Sequence, residues 1–160
     1  MINMGKKGKE IVEISVPEII NDLNRVYADE WLSTYLFWYS SKNTLNIQLK
    51  NLCEQIYSRE LKHAEQLAKR IKILGGIIIY NPSEMLKIGN CKYPESINYK
   101  DDKEMVESLL SYKRCLIEVF NRIIKKTHGK DFITYNIINQ IIIDEIEDEE
   151  NLENILEVKK

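Results

Sequence analysis

Glu60-Leu61-Lys62-His63 sets a carboxylate and an imidazole three residues apart. On a helix that step aims both side chains at one point, an arrangement suited to holding a metal ion. Glu145-Ile146-Glu147-Asp148 repeats the step with a second carboxylate in place of the imidazole. Taken alone, Glu-x-x-His carries little weight, because charged residues on solvated helix faces produce it by chance.

The apolar stripes around these residues give it weight. Read at alternating steps of three and four, they run Leu23, Tyr27, Glu30, Thr34, Phe37; then Leu52, Ile56, Glu60, His63, Leu67, Ile71. Two more follow as Val106, Leu109, Lys113, Leu116, Phe120 and Ile138, Ile141, Glu145, Asp148, Leu152. Each stripe is interrupted near its middle by ionisable residues. Burying one unpaired charge costs several kcal/mol, a large part of a domain's stability margin. Six such residues cannot be scattered singly through a core. They are tolerable if they converge on one another or on a metal.

Four long helices must position them. The first opens near Ser15-Val16-Pro17-Glu18, with a serine cap and an early proline, and runs to about Lys42. The second covers roughly Leu45 to Leu74 and stops at Gly75-Gly76. The third runs from about Asp101 to Lys126 and the fourth from about Asp131 to Glu157. Short links near Asn43-Thr44 and His128-Gly129 make two antiparallel hairpins. The long 75–100 connection, with a short helix capped at Pro82-Ser83-Glu84, lets the second hairpin cross the bundle's length. The expected fold is all-α: a tail over 1–14, then one four-helix-bundle domain over 15–160.

Composition agrees with one globular domain. Hydrophobic residues make up 44% of the 160, charged residues 30%, and the net charge is −2, which gives no general reason to expect a nucleic-acid or membrane partner. No apolar run approaches the ~18 residues of a membrane span, and no signal-peptide core follows the basic N-terminus. A cytoplasmic location is expected. Cys53, Cys91 and Cys115 are odd in number and widely spaced, unlike a secreted disulfide framework.

These features resemble the ferritin-like superfamily, and within it the archaeal-type Dps-like proteins called thioferritins. The likeness covers nearly the whole chain. It is carried by Tyr27-Ala28-Asp29-Glu30-Trp31, Glu60-Leu61-Lys62-His63-Ala64-Glu65, Leu74-Gly75-Gly76, Asn90-Cys91-Lys92-Tyr93, Arg114-Cys115 and Asp144-Glu145 with Glu149. The resemblance implies a hollow twelve-subunit shell that takes up ferrous iron and oxidises it, with peroxide, for storage and antioxidant protection. It implies Glu30, Glu60, His63 and Glu145 as ligands and catalytic groups of a di-iron centre, with Asp148 as a further metal candidate. It also implies Cys91 and Cys115 as a pair beside the centre, able to pass electrons or to form a disulfide; two buried thiols is the plainer alternative.

Two positions depart from that pattern. Lys113 stands where the third helix should offer a glutamate, and Asp148 where the fourth should offer a histidine. Glu30, Glu60, Glu145 and Asp148 carry four negative charges and Lys113 cancels one. Three outcomes stay open: one ion, with Lys113 salt-bridged in the second position; two, if Lys113 swings aside or loses its proton; or none, with a lysine-centred salt-bridge cluster preserving the fold of a shell-forming or scaffold protein that has little ferroxidase activity.

Other residues have plainer readings. Cys53 reads as a small buried side chain, and His128 as a helix-end group. Trp31, Tyr35, Phe37, Trp38 and Tyr39 exceed one core stripe, so a subunit interface is expected there. Lys6, Lys7 and Lys9 make a small basic tail on an acidic chain, and DNA binding is not expected of it.

Overall fold

The structure, a computed structural model, describes residues 5–158. Its helices are α1 (Lys6–Glu10), α2 (Val16–Asn43), α3 (Ile47–Ile73), α4 (Pro82–Ile88), α5 (Asp102–Thr127) and α6 (Phe132–Glu157). The four long ones, α2, α3, α5 and α6, match the expected spans to within a residue or two.

Their ends follow from local chemistry. Ser15, Asn46, Asp101 and Asp131 each accept a backbone N–H of the turn they open, from Glu18, Leu49, Lys103 with Glu104, and Thr134 respectively. At the end of α3, Gly75 takes φ 85°, its N–H reaches the Lys72 carbonyl and that of Gly76 reaches the Ile71 carbonyl. That pair of bonds satisfies the last carbonyls of the helix, and the left-handed residue within it favours glycine.

Helix α2 packs along α3, and α5 along α6; the two hairpins then meet through α3–α6 and α2–α5. One core runs down the middle, with Leu23, Ile56, Leu67, Leu109, Leu116, Phe120, Ile138 and Leu152 inaccessible to solvent. The crossover lies against α2, fastened by side chains of that helix. Asn24 bonds the backbone of Ile77 (3.0 Å) and Ile79 (2.9 Å), and the Arg25 Nε donates to the Ile88 carbonyl at 2.9 Å. Asp29 accepts from the Asn90 amide at 2.8 Å and from the Cys91 N–H at 3.1 Å. The segment before α2 carries helix α1, and the Glu13 N–H bonds the Lys130 carbonyl at 2.8 Å, joining it to the α5–α6 turn.

The aromatic surplus on α2 divides in two. Phe37 is fully buried, whereas Trp31, Tyr35 and Trp38 are 39%, 57% and 43% exposed and form one stripe along the helix surface. Cys53 is the free cysteine and is inaccessible. Burial, then the neighbouring Glu54, pushes its thiol up to about 12. The native protein is therefore expected to resist alkylation at Cys53, and one thiol per chain should react with a disulfide-exchange reagent only after denaturation. Rapid labelling of the native protein would show that the α3 core opens readily. Among the described residues, no helix is long and apolar enough to cross a membrane.

Candidate metal centre

The interrupted stripes meet. Helix α2 contributes Glu30, α3 contributes Glu60 and His63, α5 contributes Lys113, and α6 contributes Glu145 and Asp148. Glu30, Glu60, Lys113, Glu145 and Asp148 are each 0% exposed and His63 is 3% exposed.

The cluster has two halves. In one, Glu30, Glu60, His63 and Glu145 each offer a ligand atom, all within 4.8 Å of one another. His63 Nδ1 lies 3.4 Å from Glu145 Oε1 and 3.6 Å from Glu30 Oε2. Both Glu30 oxygens, Glu60 Oε2, Glu145 Oε1 and His63 Nδ1 are buried with no hydrogen-bond partner among the described residues. Such groups cost free energy unless something satisfies them. In the other half, the Lys113 ammonium is ion-paired with Glu60 Oε1, with Glu145 Oε2 at 2.8 Å and with Asp148 Oδ2 at 3.0 Å. It sits 5.1 Å from the centre of the Phe37 ring, a further favourable contact for a cation.

Electrostatics follow from this division. Burial, then the carboxylates of Glu60 and Glu145, pushes Glu30 well above the usual carboxyl range. For Glu145 burial acts the same way, but Lys113 and His63 outweigh it and hold the group low. Burial also works against a charged Lys113, yet Glu145, Glu60 and Asp148 outweigh it and keep the ammonium protonated. His63 behaves alike: burial opposes its charge, while Glu145 and Glu30 raise it to about 11. The lysine is therefore a fixed positive charge at the centre rather than a neutral amine.

Two contributors were not anticipated from sequence. Asp144 Oδ2 lies 2.8 Å from His63 Nε2, so it orients the ring and leaves Nδ1 facing the carboxylates. Arg59 pairs with buried Asp148 and, at 2.6 Å, with exposed Glu147. Both sit one residue before a stripe position and read as surface charges, so only the side chains' reach betrays them. The cysteines do pair: Cys91 and Cys115 form a disulfide between the crossover and α5. Cys115 lies two residues beyond Lys113, and the Cys91 backbone N–H donates to Asp29 Oδ1, on the neighbour of Glu30.

Comparison with known proteins places this arrangement. The chain is 25% identical over 159 residues to the "DNA protection during starvation protein" of Pyrococcus furiosus, covering 96% of this chain and 86% of that one. The dodecameric thioferritin of Bacteroides fragilis superposes with a TM-score of 0.90 at 27% identity, over 94% of this chain and 92% of the other. The Dps of Thermosynechococcus elongatus shares the fold, with a TM-score of 0.79 at 16% identity over 88% and 90% of the two chains. Residues 20–160 match the family described as ferritin-like domain, and with its hairpin, crossover and second hairpin closing on a carboxylate–imidazole cluster, the chain belongs to that family.

Proposed function

We propose that this protein binds ferrous iron within its bundle and oxidises it, serving iron storage and protection against oxidants. The observation that carries the reading is the set of buried oxygen and nitrogen atoms on Glu30, Glu60, His63 and Glu145 that make no hydrogen bond among the described residues. Hard carboxylates with one imidazole suit iron in both oxidation states. The donor set therefore fits the metal.

Iron is substrate here. Overall, two ferrous ions and one peroxide, with two protons, give two ferric ions and two waters. Glu30, Glu60, Glu145 and His63 Nδ1 would hold the ion, with Asp148 beside them, while Asp144 keeps the imidazole in the binding orientation. Cys91 and Cys115 would serve as a redox pair beside the site, since the reduced dithiol can yield two electrons on closing to the disulfide. Self-association into a shell, on the pattern of the dodecameric relative, gives the exposed Trp31, Tyr35 and Trp38 a subunit partner and gives oxidised iron an enclosed volume. A tail over 1–14 preceding a bundle domain over 15–160 is part of the same reading.

A second reading has its own observation, the triply paired Lys113: a shell subunit whose centre no longer takes metal. Anaerobic ferrous titration of metal-stripped protein, followed by addition of peroxide or oxygen, separates the two. Saturable binding followed by oxidation well above the rate in protein-free buffer is expected. Absence of binding would leave only the shell.

A further inference from the structure

We infer that each subunit's centre holds one divalent ion, among Glu30, Glu60, His63 and Glu145, and that the Lys113 ammonium is a built-in second cation. The inference rests on the reading of this cluster as a metal site and goes further by assigning its stoichiometry.

Two carboxylates carry it. Glu60 and Glu145 each divide their oxygens: Glu60 Oε1 and Glu145 Oε2 are on Lys113 Nζ, while Glu60 Oε2 and Glu145 Oε1 make no hydrogen bond among the described residues, Glu145 Oε1 facing His63 Nδ1 at 3.4 Å. A carboxylate that bridges two cations is divided in the same way, one oxygen to each. Lys113 thus stands where a second ion would bridge, and its Nζ is enclosed by Glu60, Glu145, Asp148 and the Phe37 ring. With no solvent exposure, it has no open side toward which to withdraw.

Charge points the same way. With an ion bound, Glu30, Glu60, Glu145 and Asp148 would be ionised and supply four negative charges, and His63, as a neutral ligand, would add none. Lys113 and the Arg59 guanidinium, which pairs with Asp148, supply two positive ones. The two remaining negative charges match one divalent ion. Two such ions would leave an excess of positive charge in a dry site, which is costly. Asp144 and Glu147, 38% and 59% exposed, lie at the solvent edge, where water screens their charges more than those of the buried groups.

The test uses manganese(II) as a probe on metal-free, assembled protein, followed by electron paramagnetic resonance. Ions held elsewhere are removed from the count by subtracting the signal of a Glu30→Gln variant. One ion per subunit with the spectrum of an isolated ion is expected. The spectrum of an exchange-coupled pair would overturn the inference while leaving the metal-binding reading intact; no Glu30-dependent binding would sink both. Lys113→Glu should then admit a second ion and produce the coupled-pair spectrum, because it replaces the resident cation with a ligand. If that variant does not fold, Lys113→Gln serves, with manganese affinity raised by about tenfold or more as a neighbouring positive charge is lost. Unchanged affinity would overturn the inference.

Discussion

Lys113→Met should destabilise the metal-free protein by about 3–5 kcal/mol, the usual consequence of removing one partner from a buried ion-pair cluster. Methionine fills a similar volume and rests as well against Phe37, so packing changes little. What is lost is the one group, among the described residues, that is ion-paired with Glu60, Glu145 and Asp148 together. Thermal unfolding of metal-stripped protein would show a much lower midpoint, and a divalent ion should recover a large part of it, since ligand binding to the folded state is stabilising. An unchanged midpoint would mean that the ammonium does not hold these carboxylates in solution.

Glu30→Gln should weaken divalent-ion binding by more than about 100-fold, beyond the 10–100-fold typical for losing an outer partner of a metal ligand. Calorimetry on the metal-free protein would measure it. The same change should stabilise the empty protein. Burial and then the neighbouring carboxylates raise the Glu30 pKa above its ordinary 4.5, so the folded chain retains a proton that the unfolded chain releases. Below the ordinary value both states are protonated and the group contributes nothing. As pH rises above it the wild type is penalised, until the folded group also ionises. Glutamine has no such penalty, so the stability gap between variant and wild type should open with rising pH. A gap that does not change with pH would show that Glu30 has another partner in solution. Ligand strength and empty-state stability are therefore opposed at this residue.

Much of this was legible in the sequence because the long helices carry clear periodicity and their caps are local. Ser15, Asp101, Asp131 and Gly75 mark boundaries without help from tertiary structure. The meeting of Glu30, Glu60, His63, Lys113, Glu145 and Asp148 was also readable, since each occupies the middle of an otherwise apolar stripe. What periodicity could not supply was reach. Arg59 has its backbone on a flank of α3 and extends a guanidinium to Asp148; Asp144 likewise extends from a half-exposed position to His63. Nor could it decide between an ammonium that swings aside and one that stays, because that depends on what encloses Nζ. The Cys91–Cys115 bond lay beyond residue patterns as well, since one partner is on an irregular crossover whose path is set by Asn24, Arg25 and Asp29.

The centre is built from both hairpins, and its charged contacts between them are reciprocal. Lys113 of α5 reaches across to Glu60 of α3, while Arg59 of α3 reaches back to Asp148 of α6. Each hairpin is held by local contacts, and the charges lie buried where the two meet. Because every cation here meets a carboxylate of the opposite hairpin, docking can proceed before any ion arrives. On the proposed reading, folding and loading thereby become separate events in the life of the molecule: a chain made during metal starvation would take its final shape and wait to be filled.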